Sequence, residues 1–386
     1  MRTDITIVKN IRDDAGLRNS FNRLAEKTFE LNFENWYQNG YWKDNYIPYA
    51  AVREGQVVAN VSVNPMAFSE NGVTRHYIQL GTVMTDPAFR GQGLCRLLME
   101  AVEKDWADRA EAIYLFANDT VLDFYPRFGF RRVPESRFFA PLSACVPLSA
   151  CAPEAFESVS KSPDTTPVPG TVPDKPAVLV PMTDPANRAA LERAILSGVP
   201  QGSFDMAGNP GLILFYASQF LTENVWYLPA CDAWVIAEEE GDTLLLDAIF
   251  APHPVDPKEA ASALLAGPFR GRFRNAPDDR SRNAPGSLSR LECGFTPFFP
   301  TDAKHHNPSG DESSFLIKTP ASRPADEEAA DGCPWNYPWN YPWNFPQKNP
   351  WEIRPLTNDD DALFVKGTLP EAFFGGKMRF PVLSHA

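Results

Sequence analysis

The sequence predicts an α/β fold built on a mixed sheet flanked by helices, and three observations predict it. A β-rich run over residues 77–85 turns through Arg90, Gly91, Gln92 and Gly93 directly into a helix. The apolar residues of that helix, Leu94, Leu97, Leu98, Ala101, Val102 and Trp106, recur at steps of three and four along one face. Around the turn the elements read helix, helix, two strands, a long strand, loop, helix, strand, helix, strand. The second half of that order returns between residues 188 and 295.

The first helix follows from the stripe Leu17, Phe21, Leu24, Thr28 and Leu31 over residues 14–31. An aromatic region comes next, with Phe29, Phe33, Trp36, Tyr37, Tyr41, Trp42, Tyr46 and Tyr49 interleaved with Glu30, Glu34 and Asp44. Ring faces and carboxylates suit a cationic amine, although some of these rings must pack helix against sheet. Strands at 47–53 and 57–63 are joined by the turn residues Glu54 and Gly55.

After the long strand, two glycines at a strand-to-helix turn let backbone N–H groups converge where the helix dipole is positive. That is an anion site, sized for a diphosphate. A dinucleotide fingerprint would need a third glycine where Arg96 stands, and no Gly-Lys-Ser/Thr closes a Walker loop. Downstream come a strand at 112–116, then Asn118, then Phe124-Tyr125-Pro126-Arg127-Phe128-Gly129-Phe130.

Arg90-Gly91-Gln92-Gly93-Leu94-Cys95 resembles the acetyl-CoA pyrophosphate loop of the GNAT N-acetyltransferases, with Cys95 where Gly or Ala is usual. Asn118, followed seven residues later by Tyr125 and then by Phe128-Gly129-Phe130, is similar to a second signature of that family, in family order. The resemblance covers residues 1–140. It is nearest to bacterial GNAT proteins with an extra C-terminal region, including the enhanced-intracellular-survival type. It implies a splayed central mixed sheet and acetyl-CoA as co-substrate. Main-chain donors at Val83, Met84 and Thr85 would meet the thioester, and a phosphate cradle would form over Arg90, Gly91, Gln92, Gly93, Leu94, Cys95 and Arg96. Amine attack on a thioester creates an oxyanion, which preorganised backbone donors stabilise. The departing thiolate needs a proton, and a phenol with a reference pKa of about 10 holds one at neutral pH. Tyr125 is the expected general acid. Asn118 is expected to bond the pantetheine arm or a water, a role compatible with capping a helix.

The base is left open. Gln79 and His76 lie on opposite faces of the central strand by alternation, and Glu30, Glu34 and Asp44 flank the expected acceptor pocket. In the survival-type relatives the terminal carboxylate reaches the active site, and the apolar end here, Phe380 to Ala386, allows that reading or simple burial. Cys95 sits at a helix N-terminus, which lowers a thiol pKa, but a bound diphosphate opposes that shift, and a small structural residue is the expected role.

A chain of 386 residues is long for one such unit. Residues 1–142 are expected to form the catalytic domain and 143–177 a Pro/Ser-rich linker. Residues 178–386 are expected to form a second, degenerate GNAT-like domain with insertions near 268–286 and 319–352. That second unit carries no Arg-x-x-Gly in the stretch 251–256. Its last strand is expected from 314–318 or 362–366. The tandem Pro-Trp-Asn-Tyr units starting at Pro334 and Pro338, followed by Pro-Trp-Asn-Phe from Pro342, exclude helix and central strand, and suit a partner-docking segment or a low-complexity insertion.

The six cysteines lack metal-ligand spacing, so no metal is expected. A net charge of −13 argues against nucleic acid and favours a cationic acceptor. With neither an apolar signal core at Met1–Ile5 nor a membrane-length apolar run, the expected location is the cytoplasm. The function expected is acetyl transfer from acetyl-CoA to a primary amine, small or peptidyl. A non-catalytic acyl-CoA-binding or regulatory protein, or a scaffold using the Trp repeats, is the alternative.

Overall fold

Local signals set the first elements. The structure, a computed structural model, describes residues 4–145, 176–269, 288–298, 351–357, 361–369, 373 and 378–384, and these belong to one compact unit. Helix α1 (Ala15–Phe29) starts where the Asp14 carboxylate accepts the Leu17 N–H, and it ends at Glu30 in the left-handed region. A short α2 (Glu34–Gln38) follows. Strands β1 (Thr6–Lys9), β2 (Ile47–Arg53), β3 (Gln56–Glu70) and β4 (Val73–Thr85) pair antiparallel. Glu54 and Gly55, with φ of 49° and 74°, make the tight β2–β3 hairpin. Helix α3 (Leu94–Trp106) then crosses over to β5 (Ala112–Ala117), which runs parallel to β4 and makes the sheet mixed.

Beyond β5 the two halves of the chain exchange strands. β6 (Arg131–Arg132) closes the first sheet, but its neighbour is β15 (Ala362–Gly367), which lies antiparallel between β5 and β6. β7 (Ser136–Pro141) instead joins the second sheet. That sheet also holds β8 (Val178–Leu179), β10 (Val225–Leu228), β11 (Ala233–Glu240), β12 (Thr243–Phe250), β13 (Arg290–Cys293) and β14 (Glu352–Pro355), in the order β14-β7-β13-β12-β11-β10-β8. So one of the two segments expected to finish the second sheet enters the first instead, one strand in from its edge. The reason is that β15 is apolar on both faces. Ala362 and Phe364 pack with Leu98, Val102 and Tyr125, while Leu363 and Val365 pack with Tyr77, Phe204 and Phe380. Only an interior position covered on both sides buries such a strand.

Helices α4 (Pro185–Ser197) and α6 (Pro257–Ala266) and strands β10 to β13 fall where the pattern puts them. Strand β9 (Phe204–Met206), which extends β3, and helix α5 (Pro210–Gln219) were not read from the pattern. Asn209-Pro210 is the signal that could have found α5: the Asn209 side chain caps the Leu212 N–H and Pro210 occupies the first turn. The helix expected after Asn118 is two 3-10 turns, Asp119–Val121 and Tyr125–Phe128, because Pro126 cannot sit inside a continuous helix. The bulk of the expected linker, the Trp-rich repeats and the segment 314–318 lie outside the described residues. No helix among the described residues is long and apolar enough to cross a membrane.

Candidate active site

β4 and β5 pair only through Tyr77, Ile78 and Gln79 against Ala112, Ile113 and Tyr114. Past Gln79 the strands diverge, and no strand among the described residues fills the gap. On its other side β4 bulges. Ser62 faces Gly81 and Asn60 faces Met84, so Thr82 and Val83 together oppose Val61. A bulge leaves backbone groups unpaired and is common beside active sites. This one holds Thr82 at a φ of 49°. Buried polar groups clamp it: Asn60 Nδ2 donates to the Thr82 carbonyl at 3.0 Å, Ser62 Oγ donates to the Tyr46 hydroxyl at 3.0 Å, and Tyr46 and Thr82 share a hydroxyl hydrogen bond. Burial pushes the Tyr46 phenol upward, so the clamp stays neutral. Val83, Met84 and Thr85 thus lie along the open edge.

The glycine turn continues that edge. Gly91 and Gly93 have φ of 71° and 78°, which side-chain-bearing residues rarely adopt, and a Cβ on either would meet open space. The turn is braced by its own side chains, Arg90 Nε to the Thr85 carbonyl and Gln92 Nε2 to the Ala88 carbonyl, both at 3.3 Å. Helix α3 starts at Gly93 with no side-chain cap. The N–H groups of Leu94, Cys95 and Arg96 therefore keep the positive end of the dipole available to an anion. At the matching place in the second half, α6 is capped by its own Asp256 carboxylate on the Lys258 N–H, with Pro257 beside it. That helix end has satisfied itself. The Cys95 thiol is pushed up to about 11 by burial, with Arg96 opposing, which removes it as a nucleophile at neutral pH.

Tyr125 opens its 3-10 turn and is buried among Phe124, Phe130 and Phe364. Burial, then the nearby Cys95, pushes its phenol upward, so it holds its proton at neutral pH beside the start of α3. Its hydroxyl forms no hydrogen bond with the described residues. Phe364, which supports the ring, arrives from the far end of the chain and was missed in the sequence. Asn118 Oδ1 is taken by the Thr120 N–H at 3.1 Å and the Thr120 hydroxyl at 2.6 Å, the capping role.

Next to the bulge opens a cavity of about 490 Å³. Phe29, Phe33, Trp36 and Tyr46 contribute to the lining, as do Leu212, Phe215 and Tyr216 of α5 and Thr82, Val382 and Leu383. The Trp36 indole donates to the Gly211 carbonyl at 2.8 Å, which fixes α5 over the rings. Trp42, Tyr41 and Tyr49 are core instead. None of the acids expected there lines this space. Glu34 is bound by Arg18 at 2.9 Å, which holds its carboxyl low, and Asp44 pairs with Arg12 at 2.8 Å. Glu30 ends α1. Gln79 is buried against Asn64, and His76 is an exposed strand residue. The acids that do line it, Glu238 and Asp247, come from the second sheet. The chain end packs nearby: Phe380 is fully buried, Val382 N–H reaches the Gly294 carbonyl at 2.8 Å, and the Tyr114 hydroxyl donates to the Ser384 carbonyl at 3.3 Å. Ala386 itself lies outside the described residues.

Residues 16–130 match the family model of the Acetyltransferase (GNAT) family. Among solved structures, the chain is similar to a probable N-acyltransferase from Enterococcus faecalis at 16% identity and a TM-score of 0.47, covering 75% of this chain and 65% of that one. It is also similar to a GCN5-related N-acetyltransferase from Kribbella flavida (15% identity, TM-score 0.45, 94% and 72% covered) and to Eis1 from Mycobacterium abscessus (15%, 0.44, 76% and 66%). The alignment thus spans less than two thirds of the Enterococcus protein. No curated protein matches the sequence.

Proposed function

We propose that this chain, whose residues 16–130 match the GNAT acetyltransferase family model, transfers an acetyl group from acetyl-CoA directly to a primary amine. The observation that carries the reading is the continuity of the open β4 edge with an uncapped helix end through two left-handed glycines. An extended pantetheine arm would lie along residues 80–85 by main-chain hydrogen bonds, its diphosphate on the amides of residues 90–96. The amine nitrogen would bond to the acyl carbon while the carbon–sulfur bond breaks. Backbone donors at the bulge would hold the oxyanion, Tyr125 would give its proton to the departing thiolate, and the new amide nitrogen would lose its extra proton to water, from which the phenolate recovers one. The proposal keeps residues 1–142 as the catalytic part, 143–177 as a linker and 178–386 as a supporting part.

Release of free CoA in the presence of an amine panel tests it. Tyr125→Phe is expected to lower kcat by about 10²-fold or more with little change in the KM for acetyl-CoA. An unchanged kcat would remove the acid assignment.

A further inference from the structure

The aromatic cavity is lined from two bulges, one in each sheet. Thr82 marks the one in β4, and Asp247 is the extra residue of the other, because Ile236 faces Ala248 while Ala237 faces Leu246. A bulge re-aims a side chain, and here it turns a carboxyl into an apolar space. Asp247 is 6% exposed, and its Oδ2 receives no N–H or O–H donor among the described residues. It lies within hydrogen-bonding reach of the Glu238 carboxyl: burial and then Glu238 push Asp247 up to about 7, with Arg379 opposing, while the bond to Asp247 holds Glu238 down against its own burial. The nearby Glu292 is already met by Arg137 at 2.8 Å and Arg379 at 2.6 Å, and no Lys, Arg or His lines the cavity. Glu240 adds further negative charge beside Glu238.

We propose that this cavity takes an acceptor with two cationic centres joined by an apolar body, and that Glu238 and Asp247 hold the cation that does not react. The proposal rests on the transferase reading above and names its substrate class. A carboxyl pair stabilises an ammonium and keeps its proton on, which would disarm a nucleophile. The reacting amine therefore belongs beside Thr82, on the sheet whose open edge would carry the thioester. Ring faces in the same lining supply apolar area and attraction for cations.

The test compares 1,4-bis(aminomethyl)benzene with benzylamine, and 1,8-diaminooctane with octylamine, on the full chain. Calorimetry and kcat/KM are expected to favour each diamine by about tenfold or more, and Glu238→Gln or Asp247→Asn to collapse that ratio to about twofold or less. A parent protein with no diamine preference overturns the proposal without any variant. A folded variant that keeps the preference also overturns it. Glu238-dependent diamine binding without acetyl transfer would uphold the cation site and overturn the transferase reading alone.

Discussion

A single side chain can carry a site or only permit it, and burial separates the two cases. The position of Tyr125 was legible because its spacing from Asn118 is local, whereas that of Thr82 was not. Nothing in Leu80-Gly81-Thr82-Val83 announces a bulge, which exists only through the register with β3. Glu238 and Asp247 were hidden for a related reason. Glu239 to Asp242 reads as a turn after a strand ending at Ala237, which leaves Glu238 unmarked, and only the β11–β12 register turns Asp247 inward. Asp205 shows what burial does to a carboxyl outside the cavity. Burial pushes it up to about 7, against the backbone N–H groups of Gln201 and Met206. Its folded pKa lies above its unfolded value, so its contribution is fully present below about 4 and is lost as pH rises toward about 7. The Tm of Asp205→Asn relative to the parent is therefore expected to climb between those values and level off above, measured by calorimetric melts. A flat difference would contradict the shift.

At the scale of elements, the strand, glycine turn and helix that place the proposed phosphate cradle were readable because glycine positions and helical periodicity are local properties. Helix α5 shows the limit of that reading. Its residues are apolar on nearly every side because it is packed against the ring cluster and the chain end, so periodicity carried no signal. Its position depends on Gly211, where a Cβ would come within 2.7 Å of the Tyr41 carbonyl oxygen. Gly211→Ala is expected to destabilise the fold by about 1–3 kcal/mol and to shift α5 off the cavity wall. Denaturant midpoints measure the first, and an unchanged midpoint would show that the contact yields freely.

Across the whole molecule, the strand exchange is the feature the sequence concealed most fully. Pairing of β5 with β15 joins residues about 250 apart, and no local pattern specifies so distant a partner. Residues 1–142 alone lack β15, which leaves β5 with an open edge and Tyr125 without Phe364. That fragment is expected to melt without cooperativity in circular dichroism, and to regain a transition when residues 178–386 are co-expressed. A sharp transition from the fragment alone would mean that the exchanged strand is dispensable. The central claim concerns the backbone cradle at residues 90–96, and isothermal titration of the full chain with coenzyme A addresses it most directly. Saturable one-to-one binding that disappears in Gly93→Asp, where a carboxylate would face the phosphates, is the expected result. A folded parent that gives no binding heat at millimolar coenzyme A, or a Gly93→Asp variant that binds as the parent does, would contradict it.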